Sequence, residues 1–133
     1  MLPKPGKIAA LDLGTRRTGV AVSDATQSVA FARPELEHKN DQELLEQLKA
    51  LVATENLVGL LLGRPTKLSG EATEQTTVVE ATARILAALE LPIEFIDERL
   101  STQFAENLHG FETAEKHHDS RAAQILLEIH LGN

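Results

Sequence analysis

Several residue types are missing or rare in this chain of 133 residues, and each absence excludes a kind of chemistry. There is no cysteine, which excludes disulfides, thiolate zinc sites, iron–sulfur clusters and cysteine nucleophiles. There is no tryptophan or tyrosine, and aromatic residues make up 3%, so binding of nucleic acid by a row of stacked aromatic side chains is not expected. No apolar run reaches the roughly 18 residues of a membrane span. The opening MLPKPGK lacks the apolar centre of a signal peptide, so we expect a cytoplasmic protein without membrane contact.

The charge of the chain is acidic overall but unevenly distributed. Thirteen lysine and arginine residues stand against twenty aspartates and glutamates, a formal net charge of −7. Such a protein is not expected to bind a phosphate backbone over its whole surface. Residues 1–34 nevertheless carry five basic and two acidic side chains, whereas residues 35–56 carry two basic and six acidic ones. A basic surface can therefore still form locally.

The pattern of apolar residues predicts one α/β domain over residues 1–133. Hydrophobic residues make up 42%, which is enough for a core. Strands are predicted at residues 7–13, 19–23, 29–33, 57–62 and 93–96, and helices beginning at Asn40, at about residue 71, at Ser101 and at Asp119. The first two strands should form an antiparallel hairpin, and two strand–helix–strand units should add parallel strands. The prediction is a mixed sheet flanked by helices.

Four local expectations accompany this outline. Pro34 should close the third strand, and Glu43 should complete a capping box with Asn40. The second helix should end at Leu89 and turn one face toward the core, formed by Val78, Val79, Ile85, Leu86 and Leu89. The polar stretch 109–118 should be mobile.

Asp12 is the first candidate for chemistry, because it lies within an apolar strand. A buried carboxylate is costly unless it is paired or binds a metal ion. A glycine two residues later leaves space for a ligand at the strand end. The structural alternative is an aspartate that caps the following turn.

The second candidate is the pair Asp97 and Glu98, which directly follows a predicted strand. Ligands of open α/β sheets bind beyond the carboxyl ends of strands. Two adjacent acids at that place could hold a cation, or could simply form a salt bridge with Arg99.

The third candidate is Asp119, at the start of the last predicted helix. Aspartate is also a common N-cap, so a capping role is the alternative. The neighbouring His117 and His118 lack cysteine or histidine partners at the spacing of a zinc site, and we do not assign them to metal.

Taken together, Asp12, Glu98 and Asp119 are oxygen donors from separate elements without histidine or cysteine support. Such a set suits Mg²⁺ or Mn²⁺. A pair of these ions about 4 Å apart can activate water and stabilise the leaving oxygen in phosphodiester hydrolysis.

Four sequence motifs resemble those of the YqgF family. They are ALDLGTRRTGVAVSD at residues 10–24, LLLGRPTKLSG at 60–70, FIDERLST at 95–102 and DSRAAQIL at 119–126. They occur in the family's order, and the resemblance extends over nearly the whole chain, so the set is far more specific than any one motif.

The resemblance implies a ribonuclease H-like fold and a nuclease that matures the 5′ end of pre-16S rRNA. It implies that Asp12, Glu98 and Asp119 are catalytic carboxylates that bind Mg²⁺ or Mn²⁺, with Asp97 as an accessory. The candidates for contacts to substrate phosphates are Arg16, Arg17, Arg64, Lys67 and Arg99. The family commonly has a basic run before the helix aspartate, whereas residues 113–118 contain one lysine. A site completed by a ribosomal subunit is therefore a further expectation.

Three other functions share some features with this sequence. A Holliday junction resolvase would use related chemistry on branched DNA, but two symmetric cuts favour a dimer. The sequence has no heptad seam or isolated apolar helix, so we expect a monomer. A non-catalytic module for ribosomal or transcription components would suit the acidic composition, but would leave Asp12 unexplained. An actin-like ATPase needs a second domain, for which 133 residues are too few.

Overall fold

The computed structural model describes residues 2–64, 74–98 and 118–132, with side chains from 77 and from 120 onward in the second and third segments. The strands are β1 (Lys7–Asp12), β2 (Arg17–Ser23), β3 (Ala30–Glu37), β4 (Leu57–Arg64) and β5 (Ile93–Asp97). The helices are α1 (Asp41–Glu55), α2 (Glu74–Leu86), a 3₁₀ turn (Ala87–Leu89) and α3 (His118–Leu131). The predicted helix at residues 101–108 and most of the stretch 109–118 lie outside the described residues.

The five strands form one mixed sheet in the order β3-β2-β1-β4-β5. β2 is antiparallel to both β1 and β3, whereas β4 is parallel to β1 and to β5. The hairpin and the parallel crossovers are thereby confirmed. Because β1, β4 and β5 run in the same direction, their carboxyl ends meet at one edge of the sheet.

Helices cover both faces of this sheet. Leu44 and Leu48 of α1 and Leu86 of α2 join one buried cluster on the first face. α3 lies on the second face, where Ala123 and Leu127 pack in a cluster that includes the small side chains of the central strands. β4 contributes to both clusters, which accounts for its almost uninterrupted apolar sequence.

Three strands extend beyond their predicted ends, β5 by the single residue Asp97. β3 continues through Pro34 to Glu37, because it is an edge strand, where a residue without an N–H is tolerated. β4 runs through Gly63 to Arg64, so the glycine lies within the strand instead of ending it. β2 also begins earlier, at Arg17.

α1 follows its prediction, whereas α2 departs from its prediction in two respects. Asn40 caps α1 by accepting the backbone N–H of Glu43 at 2.9 Å. The first departure of α2 is that the α-helix ends at Leu86, and a 3₁₀ turn covers the residues up to the predicted end at Leu89. In α2, Val78 and Ile85 were predicted to be in the core, but they are 51% and 38% exposed, and this prediction is wrong. Val79 and Leu86 are buried as expected, because the apolar stripe that meets the sheet is narrower than the periodicity suggested. Within the described residues, no helix combines the length and apolarity that a bilayer crossing requires.

Candidate active site

Asp12 and Glu98 meet at the carboxyl edge of the sheet. Asp12 is the last residue of β1, and Glu98 directly follows β5. The backbone N–H of Glu98 donates to the carbonyl oxygen of Arg64 at 3.2 Å, which extends the β4–β5 pairing by one residue. The side chains of Asp12 and Glu98 are hydrogen-bonded to each other. Two of the three predicted carboxylates therefore share one site.

Gly63 provides the space in which Glu98 lies. A Cβ built at residue 63 would be 2.6 Å from Oε1 of Glu98 and 2.8 Å from Cδ1 of Leu126 in α3. Any side chain at this position would displace the carboxyl group or the helix. This role of Gly63 was not predicted from the sequence, although a glycine inside an apolar strand does indicate a close approach of another group.

The environment strongly favours the protonated form of Glu98. Burial raises the pKa of Glu98 to about 8, and its hydrogen bond to Asp12 and the charges of Asp12 and Asp97 act in the same direction. At neutral pH, the protonated carboxyl of Glu98 can thus donate to the carboxylate of Asp12. The site is an acidic cluster in which one proton offsets part of the negative charge.

Asp97 lies beside this pair as the last residue of β5. It is half-buried and stands opposite Arg64 in the β4–β5 register. Its charge contributes to the raised pKa of Glu98. The structure thus places all three acids of the sheet edge close together.

The start of α3 is anchored to the sheet beside Asp12. The buried hydroxyl of Ser120 accepts the backbone N–H of Val20 at 3.2 Å and donates to the carbonyl oxygen of Arg33 at 2.5 Å. Val20 and Arg33 face each other where the β2–β3 register shifts, and the preceding residue Gly19 pairs with Asp12. Ser120 is a second residue that the sequence analysis missed, since its partners are remote in the chain.

Asp119 is the residue before Ser120, in the first turn of α3. The anchor therefore holds its backbone at the end of the sheet where Asp12 and Glu98 lie. Its side chain, and the predicted phosphate contacts Lys67 and Arg99, lie outside the described residues. Among the described residues, no three histidine, aspartate or glutamate side chains are grouped as ligands of a metal ion.

The other predicted phosphate contacts have different surroundings. Nη2 of Arg64 is 2.7 Å from Oε2 of Glu80 in α2, so this guanidinium is already paired. Nη1 of Arg17 is 3.5 Å from Oε1 of Glu35 and remains largely exposed. Arg16 is exposed and forms no ion pair within the part of the chain that the structure describes.

The sheet order, the antiparallel hairpin and the acidic edge define a ribonuclease H-like fold. The chain is similar to Thermus thermophilus RuvC in complex with a Holliday junction substrate, with a TM-score of 0.59 at 10% identity, covering 96% of this chain and 94% of that one. It is also similar to the yeast mitochondrial Holliday junction resolvase Ydc2, with a TM-score of 0.52 at 14% identity over 99% and 64% of the two chains. At these identities the likeness shows the fold alone.

Sequence comparison identifies the family. The model of the RuvX family, described as "Holliday junction resolvase", matches residues 6–133, and the chain belongs to this family. The resemblance to YqgF is thereby confirmed. A protein of Sphingopyxis alaskensis named "Putative pre-16S rRNA nuclease" is 38% identical over 96% of this chain and 87% of its own length. A protein of Cereibacter sphaeroides with the same name is 41% identical over 98% and 81%.

Proposed function

We propose that this protein is a metal-dependent nuclease that hydrolyses phosphodiester bonds in structured RNA, at the 5′ end of pre-16S rRNA. The observation that carries the proposal is the contact between Asp12 and Glu98 at the carboxyl edge of the sheet. The names of the relatives from Sphingopyxis alaskensis and Cereibacter sphaeroides support the choice of substrate.

The acidic cluster fits a divalent metal ion. Asp12 and Glu98 offer hard oxygen donors. Burial first, and then the neighbouring Asp12 and Asp97, raise the pKa of Glu98, so that a bound cation can take the place of its proton. Asp12, Glu98 and Asp119 would hold Mg²⁺ or Mn²⁺, with Asp97 in support. When bound, such ions supply an activated water and stabilise the leaving oxygen of the scissile phosphodiester.

The residues of the chain itself have separate tasks in this proposal. Gly63 leaves the space that Glu98 occupies, and Asp12 accepts a hydrogen bond from the protonated carboxyl of Glu98 in the metal-free state. Ser120 holds the backbone that carries Asp119. The exposed Arg16 and Arg17 supply positive charge for the substrate phosphates, as Arg64, Lys67 and Arg99 are also proposed to do. We expect products with a 5′-phosphate and a 3′-hydroxyl.

A second candidate function is the resolution of four-way DNA junctions. The description of the RuvX family favours it. It requires two sites related by a two-fold axis, because two strands are cut symmetrically. A monomer in sedimentation, both free and on a four-way junction, would contradict this function.

The proposal is tested by incubating the protein with precursor small-subunit rRNA and with a four-way DNA junction, in Mn²⁺ or in EDTA. We expect cleavage of the rRNA in Mn²⁺ only, and a loss of at least about 100-fold in the Asp12→Asn variant, whose fold should persist. Glu46→Gln removes one charge from the exposed face of α1 and is the matched control. Selective cleavage of the junction would favour the second function, and binding of rRNA without cleavage under any condition would favour a non-catalytic module.

A further inference from the structure

A second feature lies at the same edge of the sheet, on the β3 side of the candidate active site. It is a groove of about 360 Å³ between the β1–β2 turn and the start of α1, here called the basic groove. Its lining residues are Arg16, Arg17, Glu37, His38, Lys39 and Glu43.

The topology places the basic groove within reach of a strand bound at the acidic cluster. β3 and β1 are both antiparallel to β2, so the carboxyl end of β3 at Glu37 lies at the same edge as Asp12. The two strands are separated only by β2, which corresponds to about 10 Å. At the 3.4 Å axial rise per nucleotide of a duplex, this distance is at most about three nucleotides, and it is fewer along an extended single strand.

The floor of the groove is fixed by buried polar contacts. His38 is 4% exposed, and its Nε2 lies 2.9 Å from Oγ1 of the fully buried Thr18. The backbone N–H of His38 donates to the carbonyl oxygen of Arg16 at 2.9 Å, which ties the two walls together. Among the described residues, Nδ1 of this buried ring has no hydrogen-bond partner.

The charges that line the groove favour an anion. Within the described residues, Arg16 and Lys39 form no side-chain ion pair, and Arg17 only a long one with Glu35. Of the two opposing acids, Glu43 is engaged through Oε1, which accepts the backbone N–H of Lys39 at 2.8 Å. In a chain with a net charge of −7, exposed cations beside the acidic cluster are a local exception.

We propose that the basic groove binds the sugar–phosphate backbone of the substrate strand, within about three nucleotides of the bond at the acidic cluster. Arg16 and Lys39 contact the phosphates, and His38 forms the fixed floor. The inference rests on the proposed function for its placement along the strand, but backbone binding itself can be measured without cleavage.

The test compares binding by the native protein and by the double variant Arg16→Ala/Lys39→Ala, in EDTA, by fluorescence anisotropy. The probes are labelled single strands of 4 and 16 nucleotides, as RNA and as DNA of the same sequence. The control variant Lys49→Ala/Arg84→Ala removes the same charge from exposed positions outside the groove. Thermal melting verifies that all variants are folded.

We expect the groove variant to lose at least about tenfold in affinity for the 16-mers and less for the 4-mers. The slope of log K against log salt should fall by about 1.4, the value for two lost phosphate contacts on a single strand. Glu37→Gln should tighten binding, because it removes an acid from the groove. Equal losses for RNA and DNA identify the backbone phosphate as the ligand, and a loss for RNA alone adds a 2′-hydroxyl contact.

The proposal is overturned if the control variant loses as much affinity as the groove variant, if the groove variant loses none, or if the native protein binds neither 16-mer. If the native protein binds with the expected pattern but cleaves no substrate in Mn²⁺, the proposed nuclease function is wrong. The proposal that the basic groove binds a sugar–phosphate backbone is then still supported.

Discussion

The carboxyl group of Glu98 lies over the Cα of Gly63, so that a methyl group on residue 63 would stand 2.6 Å from its Oε1. The position of a candidate catalytic acid is thus set by the absence of a side chain on the neighbouring strand. We predict that Gly63→Ala lowers nuclease activity at least about tenfold, and costs about 1–3 kcal/mol of stability because Leu126 must also move.

Gly59 provides the control for this substitution, because it lies in the same strand, against Leu2 and Ile8. A Cβ built at residue 59 would be 3.1 Å from Cδ2 of Leu2, a contact that a flexible side chain can relieve. Gly59→Ala should leave activity unchanged. Equal effects of the two alanines on cleavage would show that crowding of β4 in general, and not displacement of Glu98, is responsible.

The raised pKa of Glu98 predicts that the metal-free protein loses stability as the pH rises from 4.5 to about 8. Between pH 4.5 and about 8 the folded state keeps a proton that the unfolded chain has lost, so the free energy of unfolding falls as the pH rises through this interval. After allowance for solvent screening of this partly exposed group, the change should be about 2 kcal/mol. Denaturant unfolding in EDTA at several pH values measures it. Glu98→Gln should flatten the profile, and an unchanged profile would contradict the assignment.

The anchor at Ser120 should affect both stability and catalysis. Ser120→Ala leaves the N–H of Val20 and the carbonyl of Arg33 without their partner, which should cost about 1–3 kcal/mol. We also expect kcat to fall severalfold with KM little changed, because the backbone of Asp119 is no longer held.

Gln124 provides a matched control one turn along the same helix, where its Nε2 donates to the carbonyl oxygen of Ala30 at 3.3 Å. Gln124→Ala should reduce stability without a selective loss of kcat. Ser120→Thr keeps the hydroxyl and should restore part of the rate. If both alanine variants lower kcat alike, Ser120 is only a structural residue.

Substitutions at Arg64 and at Glu80 distinguish a structural role of the arginine from a role in binding substrate. As a partly exposed ion pair it should contribute less than about 1 kcal/mol to stability. If Arg64 also contacts substrate phosphate, Arg64→Ala should raise KM severalfold, whereas Glu80→Gln should leave KM unchanged or lower it. Equal KM values for the two variants would show that Arg64 serves only its ion pair with α2 and does not contact substrate phosphate.

Much of the sheet and of the candidate active site can be predicted from the sequence. The apolar sequence of β4 predicts a strand buried on both faces, and a strand in that position brings the ends of β1 and β5 to one edge. The contact of Asp12 with Glu98 is a consequence of that topology. The cap at Asn40 is equally local, since its partner is three residues away.

Other features could not be predicted, because they depend on which residues of other helices and strands lie nearby in the fold. Val78 is apolar and in helical register, yet it is exposed because the sheet offers α2 only a narrow contact surface. Pro34 is compatible with a strand only because β3 is at the edge. The hydroxyl of Ser120 and the ring of His38 acquire their roles from partners in other strands.

The central claim is that Asp12 and Glu98 form a site for divalent metal ions, and calorimetric titration with Mn²⁺ tests it most directly. We predict that the native protein and the Glu46→Gln control bind Mn²⁺ with the same affinity, and that Asp12→Asn and Glu98→Gln each weaken binding at least about tenfold. Binding of equal strength in all four proteins would contradict the claim.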